Sequence, residues 1–244
     1  MPNAIITGSS RGIGLAAAKR FAREGFNVAF NCIVNEREMN AEIERLRLEK
    51  CVKGRFYGEA ADVSDFNKAR AFIKNAEQAL GDTDVLVNNA GIEYFGLFQD
   101  MKPEEWERVM AVNFYSALNC CNAVIPGMLA RKRGVIVNVS SVWGHAGASC
   151  EAVYAASKGA LEAFTRSLAK ELGPGGIRVN AAAFGAIDTD MNARLSEEEK
   201  NAFAQNTALM RLGRAEEAAA LIWFLASDAS SYMAGEVVNL SGGL

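Results

Sequence analysis

The segment from Ala4 to Glu24 constrains this chain most. Ala4-Ile5-Ile6-Thr7 is a short apolar, β-prone run, Gly8-Ser9-Ser10-Arg11-Gly12-Ile13-Gly14 follows it, and Leu15 to Glu24 has a helical pattern. Strand, glycine turn and helix in that order force a tight reversal that leaves free N–H groups at the start of a helix. Such a turn lets the backbone approach a pyrophosphate, which then faces those N–H groups and the positive end of the helix dipole. The spacing is Gly-x-x-x-Gly-x-Gly and differs from the Gly-x-Gly-x-x-Gly form. A strand-to-helix turn without a ligand is the other reading of this segment.

Beyond the turn, β-rich runs alternate with helical patterns and no linker interrupts them. Strands are expected at 3–7, 27–33, 54–58, 84–88, 134–140, 177–183 and 236–240, and helices at 12–24, 36–49, 65–80, 103–130, 151–172 and 215–226. Strict alternation implies right-handed βαβ units and a parallel sheet covered on both faces. The expected fold is therefore α/β: a single doubly wound Rossmann-type domain spanning 1–244, with about seven parallel strands and helices on both faces. At 244 residues and 50% hydrophobic composition the chain can bury one full core. The stretch 185–213, with Met191, Leu195, Phe203 and Met210 among charges, reads as a substrate-binding lid, or else as a surface excursion with a short helix.

Several classes are disfavoured. With no run of about 18 apolar residues evident, a membrane span is not expected, and a strand close to Met1 leaves no room for a signal peptide, so a cytoplasmic location is expected. A net charge of -3 gives no sign of nucleic-acid binding. Cys32, Cys51, Cys120, Cys121 and Cys150 form no CxxC and have no histidine-rich partner set, which reads as buried free thiols and no metal site.

Tyr154 and Lys158 stand one helical turn apart, with Ser141 upstream in Val139-Ser140-Ser141-Val142. Residues four apart share a helix face, so an ammonium can stabilise an ionised phenol. A phenol titrates near ~10, and bringing it to neutrality needs ~4 kcal/mol of differential stabilisation, within reach of a close cation in a partly dry site. The pair reads as a proton switch for carbonyl/alcohol redox chemistry, and an ordinary amphipathic helix is the bland alternative. The lone His145 invites a serine–histidine hydrolase reading, but neither Ser140 nor Ser141 lies in a Gly-x-Ser-x-Gly elbow. Trp143 and His145 either shape a substrate pocket or pack in their loop.

Together these segments resemble the short-chain dehydrogenase/reductase family over essentially the whole chain: the turn Thr7 to Gly14, the second signature Asn88-Asn89-Ala90-Gly91, and the tetrad Asn113, Ser141, Tyr154 and Lys158. Within it, Arg11, Leu225-Ala226-Ser227-Asp228, Gly235-Glu236 and Gly242-Gly243 look most like β-ketoacyl-acyl-carrier-protein reductases. The resemblance implies that Ser141 grips a carbonyl oxygen, Tyr154 delivers the proton, Lys158 holds the cofactor ribose and depresses the Tyr154 pKa, and Asn113, at a helix kink, completes a water relay. It implies cofactor contacts from Gly8, Ser10, Arg11, Gly12, Ile13, Gly14 and Asn31. Asp62 and Val63 would flank the adenine and Asn89, Ala90 and Gly91 the adenine-ribose side; Tyr154, Lys158, Gly185, Ile187 and Thr189 would lie toward the nicotinamide. Phe184 stands where the family usually has proline, which puts the rigidity of the Ile187–Thr189 segment in doubt.

NAD enzymes place an acid at the end of the second strand. In Phe30-Asn31-Cys32-Ile33-Val34-Asn35 no acid precedes Glu36, while Arg11 and Arg37 could meet a 2′-phosphate, so NADP(H) is favoured over NAD(H). The alternative for Arg11 is a solvated turn residue, and for Arg37 a first-turn helix residue paired with Glu38 or Glu42. The expected function is NADP(H)-dependent 3-oxoacyl-thioester reduction. Alternatives are a dehydrogenase of a small alcohol, sugar, polyol or steroid-like substrate, or a dinucleotide-binding regulatory protein. Expected partners are the carbonyl substrate, with an acyl carrier protein met by Arg131-Lys132-Arg133, and further copies of the chain in a homodimer or homotetramer, through the small residues of the 151–172 helix.

Overall fold

The computed structural model describes residues 1–190 and 196–244. The order is β1 (Asn3–Ile6), α1 (Gly12–Arg23), β2 (Asn27–Cys32), α2 (Glu36–Leu48), β3 (Phe56–Ala60), α3 (Phe66–Leu80), β4 (Val85–Asn88), α4 (Pro103–Met110), α5 (Ser116–Arg131), β5 (Gly134–Ser141), α6 (Trp143–Ala146), α7 (Ala152–Leu172), β6 (Ile177–Phe184), β7 (Ile187–Asp188), α8 (Glu197–Gln205), β8 (Gly213–Arg214), α9 (Ala215–Ala226) and β9 (Val237–Leu240). Seven strands form one parallel sheet in the order β3-β2-β1-β4-β5-β6-β9. The chain moves outward from β1 on one side, then restarts at β4 on the other. The carboxyl ends of β1 and β4 therefore open a crevice where the winding reverses, which positions everything that follows.

Successive strand residues supply two cores. Ile6, Val87 and Val137 face α1 and α9, whereas their neighbours Ile5, Leu86 and Ile136 face α3, α5 and α7. Burial on both faces explains the near-continuous apolar strands, and each fully buried Ile, Leu or Phe contributes roughly 1.5–3 kcal/mol. Phe21, Phe26 and Trp223 lock α1 to α9 through edge-to-face contacts with centroids 5.2–5.4 Å apart.

Several boundaries and burial readings change. The third strand lies at Phe56–Ala60, two residues later than its pattern suggested. The 103–130 helix is interrupted by a π turn at Ala111–Tyr115. With that turn included, the continuous helix is long and apolar enough to cross a membrane by composition, but here it packs on α3, β4 and α7. Of the five free cysteines, Cys32, Cys120 and Cys121 are buried, whereas Cys51 is exposed and Cys150 half-buried. In the 185–213 stretch, β7 pairs with β8, and Ser196 caps α8 through a reciprocal bond set with Glu199. Met191 and Leu195 of the expected lid lie outside the described residues.

Candidate active site

The glycine turn is held by the second signature. The Thr7 hydroxyl accepts from the N–H groups of Asn89 and Ala90, both at 3.0 Å, and Asn89 Nδ2 donates to the carbonyls of Thr7 and Gly8 at 3.0 Å. Gly8 has φ +63°, and a Cβ there would lie 2.9 Å from Ala90 Cα. At Gly14 a Cβ would lie 2.3 Å from the Gly8 carbonyl oxygen. These glycines permit a backbone approach that no side chain could share. No acidic residue stands in the first turn of α1 and Arg11 offers no side-chain cap, so the helix start keeps open donors for an anion.

A cleft of about 260 Å³ runs from this turn across the crevice. Gly8, Ser10, Arg11, Gly12, Ile13, Gly14, Asn31, Asp62, Val63, Asn89, Ala90, Gly91, Ser141, Tyr154, Lys158, Gly185, Ile187 and Thr189 all line it. Asn31 does so with its amide engaged by the protein: Nδ2 donates to the Ala61 carbonyl at 2.9 Å and Oδ1 accepts from Gly8 N–H at 3.4 Å. Asp62 is held by Arg108 at 2.9 Å, and with the Ser64 hydroxyl this keeps its carboxyl below the usual range despite burial. Sequence reasoning did not assign Cys32, Ile33, Val34, Asn35, Ser64 or Asp190, which also line the cleft. For Ile33 to Asn35 the signal was present in the end of β2.

The tetrad converges from three elements. The Ser141 hydroxyl faces the Tyr154 phenol and favours its ionised form, and Ser141 Oγ accepts from Trp143 N–H at 3.2 Å. Buried Lys158 donates to the Val139 carbonyl at 2.9 Å and lies 5.8 Å from the Tyr154 ring centre. Asn113, in the π turn, bonds both Ile92 backbone groups at 2.8 Å and donates to Ser157 Oγ at 3.0 Å. Its amide hydrogens are thus committed to clamping the β4 loop onto α7. Gly91 completes the floor, since a Cβ there would meet Asn113 Oδ1 at 3.4 Å and Lys158 Nζ at 3.5 Å.

The electrostatics differ from expectation. Burial pushes the Tyr154 phenol up to about 12; the Ser141 hydroxyl opposes this, and Glu151 and Glu93 reinforce it. Burial also pulls Lys158 down to about 8. Desolvation dominates, so in the free protein Tyr154 is a loaded acid throughout neutral pH. The two acids were missed, although Glu93 closely follows Gly91 and Glu151 closely precedes Tyr154.

Other expected contributors lie elsewhere. Arg37 is exposed on α2 outside the cleft, and Glu42 pairs instead with Lys19 at 2.6 Å and with Arg45. Arg131 and Arg133 pair with Asp82 at 3.3 Å and Asp84 at 2.7 Å. They precede β5, whose eight residues place them ~23 Å from the Ser141 end at ~3.3 Å per residue, so they cannot line the mouth. Neither Trp143 nor His145 lines the cleft; His145 Nδ1 sits 3.7 Å from Glu162 Oε1. Phe184 pairs with both Ser141 and Leu240, which anchors the start of the Ile187–Thr189 segment without proline. Among the described residues no group of three His, Cys, Asp or Glu side chains could hold a metal.

A nicotinamide dinucleotide fits this cleft: open helix donors and a side-chain-free turn suit the pyrophosphate, and the Ser141–Tyr154–Lys158 cluster lies at the other end. A family model described as enoyl-(acyl carrier protein) reductase matches residues 8–244. The chain is 37% identical over 242 residues to a 3-oxoacyl-[acyl-carrier-protein] reductase of Staphylococcus aureus, covering 99% of this chain and 97% of the relative. Identity is 41% over 241 residues to the enzyme of that name from Chlamydia muridarum, covering 99% and 96%. A crystal structure of the 3-oxoacyl-[acyl-carrier protein] reductase of Brucella melitensis superposes with a TM-score of 0.93 at 38% identity, covering 100% of this chain and 91% of that one. The chain belongs to the short-chain dehydrogenase/reductase family and is an oxidoreductase of carbonyl and hydroxyl groups that uses a nicotinamide dinucleotide.

Proposed function

We propose that this protein is an NADP(H)-dependent carbonyl reductase, with 3-oxoacyl thioesters as the first substrates to consider. The observation that carries the reading is that Ser141, Tyr154 and buried Lys158 line the dinucleotide cleft together, with Lys158 Nζ 5.8 Å from the Tyr154 ring centre. The bound cofactor supplies the hydride. Ser141 holds the carbonyl oxygen, and the Tyr154 hydroxyl, protonated at neutral pH, delivers the proton. Lys158 holds the ribose hydroxyls, and Asn113 fixes the loop that shapes the floor and serves the proton relay. Gly8 to Gly14 receive the pyrophosphate, Asp62 and Val63 the adenine, and Ile187 and Thr189 the carboxamide.

Arg11, exposed at the lip of the cleft, is the side chain for a 2′-phosphate, since the β2 end offers only Ile33, Val34 and Asn35. Arg11→Ala weakens NADPH by roughly tenfold or more, the scale of one charge-assisted bond at ~1.5–3 kcal/mol, and leaves NADH nearly unchanged. Fluorescence titration of both nucleotides checks this; equal losses would assign Arg11 to turn geometry.

A second reading of the substrate follows from the field of Glu93 and Glu151 at the phenol and from the remote basic run. Carboxylates that act on the reacting group disfavour an anionic substrate or an acidic carrier and suit a free carbonyl compound that is neutral or cationic. The deciding experiment measures kcat/KM with NADPH for free and carrier-linked 3-oxoacyl thioesters, neutral ketones and ketones bearing a protonated amine. Carrier-linked thioesters ahead by tenfold or more (~1.4 kcal/mol) support the first reading. Free ketones ahead, with Lys132→Glu silent, support the second.

Self-association is part of the same proposal. Gly159 of α7 is covered, because a Cβ there would lie 2.8 Å from the Gly144 carbonyl. Exposed Ala152, Ala156 and Ala163 remain as the small-residue face for a two-fold contact between copies. Light scattering at micromolar concentration tests it, and a monomeric mass removes it.

A further inference from the structure

Glu162 has no part in the chemistry above, yet it is buried one helical turn beyond Lys158 with its side chain only 3% exposed. Burying a carboxylate costs several kcal/mol unless partners compensate. Arg166 Nη2 reaches Oε2 at 3.4 Å and His145 Nδ1 lies 3.7 Å from Oε1, both from half-exposed surface positions. The shortest contact comes from inside: the Ser140 hydroxyl donates to Oε1 at 2.9 Å. Ser140 immediately precedes Ser141.

A second contact comes from α6. A Cβ on Gly144 would lie 2.7 Å from Glu162 Oε1 and 3.0 Å from the Lys158 carbonyl carbon, so this turn rests directly on α7 around the carboxylate. Ser141 is thus flanked by two anchored points, and Trp143 N–H between them donates to its hydroxyl. Ser141 comes from β5, whereas Tyr154 and Lys158 come from α7. Their relative placement depends on what joins the end of β5 to that helix.

We propose that Glu162 is a positioning residue for carbonyl reduction: its carboxylate fixes the Ser140–Gly144 segment against α7 and so holds the Ser141 hydroxyl in register with Tyr154 and Lys158. The proposal rests on the carbonyl-reductase reading. Misplacing a reacting group by ~1 Å can cost ~100-fold in rate.

The test compares kcat, carbonyl KM, NADPH affinity and melting temperature for wild type, Glu162→Leu, Glu162→Gln and Ser140→Ala. Glu162→Leu should lower kcat roughly 10- to 100-fold with NADPH affinity within about twofold, because the cofactor end of the cleft is untouched. Glu162→Gln keeps an acceptor for Ser140 and should restore kcat to within about threefold, while Ser140→Ala should fall between the two. Lower melting temperature with wild-type kcat per NADPH-binding molecule would show a structural role alone and overturn the proposal. Should Glu162→Leu fail to fold, Ser140→Ala decides: full kcat there also overturns it. A wild-type protein that binds NADPH but reduces no carbonyl compound defeats the reductase reading instead.

Discussion

Tyr154→Phe is expected to lower carbonyl reduction by at least about a hundredfold, the usual scale for removing a general acid, while NADPH binds with nearly unchanged affinity. The ring keeps its packing, and what disappears is the hydroxyl that faces Ser141. Ser141 retains the Trp143 N–H as a partner, so the pocket is not left with an orphaned polar group. Steady-state rates beside a fluorescence titration of NADPH separate the two effects; near-normal turnover would remove Tyr154 from the chemistry. The pH profile adds a second check. Lys158 has its pKa lowered by burial to about 8, so its charge is present below that pH and lost above it. Because kcat/KM for NADPH reports the free enzyme, it should be level at neutral pH and fall as pH rises past about 8. Tyr154, pushed up to about 12, stays protonated across that range. The fall should therefore persist in the residual activity of Tyr154→Phe, and its disappearance would assign it to the phenol.

Gly14→Ala is expected to abolish measurable dinucleotide binding and to destabilise the fold. The new Cβ would stand 2.3 Å from the Gly8 carbonyl oxygen of the turn and 2.4 Å from Asn89 Nδ2 of the second signature that holds it in place. Neither can withdraw without opening the turn, so the overpacking cost is ~1–3 kcal/mol. Losing two charge-assisted bonds to the pyrophosphate, at ~1.5–3 kcal/mol each, lowers affinity by at least a hundredfold. Gly25→Ala is the control: its φ of +86° carries backbone strain, but nothing lies within 4 Å of the added Cβ. It should lose stability and keep NADPH. Thermal melts and nucleotide titrations of both variants check this, and unchanged NADPH affinity in Gly14→Ala would refute the role given to the turn.

The two variants probe the features that were most legible in the chain. The glycine turn and the Tyr154–Lys158 pair are local, and a spacing of a few residues fixes their geometry once the element type is known. Alternating apolar runs likewise determined a doubly wound parallel sheet, because strands buried on both faces and helices buried on one leave different periods.

What the tertiary structure alone decided concerns residues far apart in sequence. Arg131-Lys132-Arg133 reads as a docking surface until β5 places it at the opposite end of the sheet from Ser141. The phenol reads as activated by its neighbouring ammonium until burial, reinforced by Glu151 and Glu93, raises its pKa instead. Asn113 reads as a relay residue at a helix kink, and only the π turn shows its amide bridging Ile92 and Ser157. Glu162 gave no signal, because nothing in its own helix shows that Ser140 and Gly144 will close over it. Periodicity and spacing are properties of one segment and survive in the sequence. Distance, desolvation and hydrogen-bond partners arise from packing between segments, and only the folded arrangement sets them.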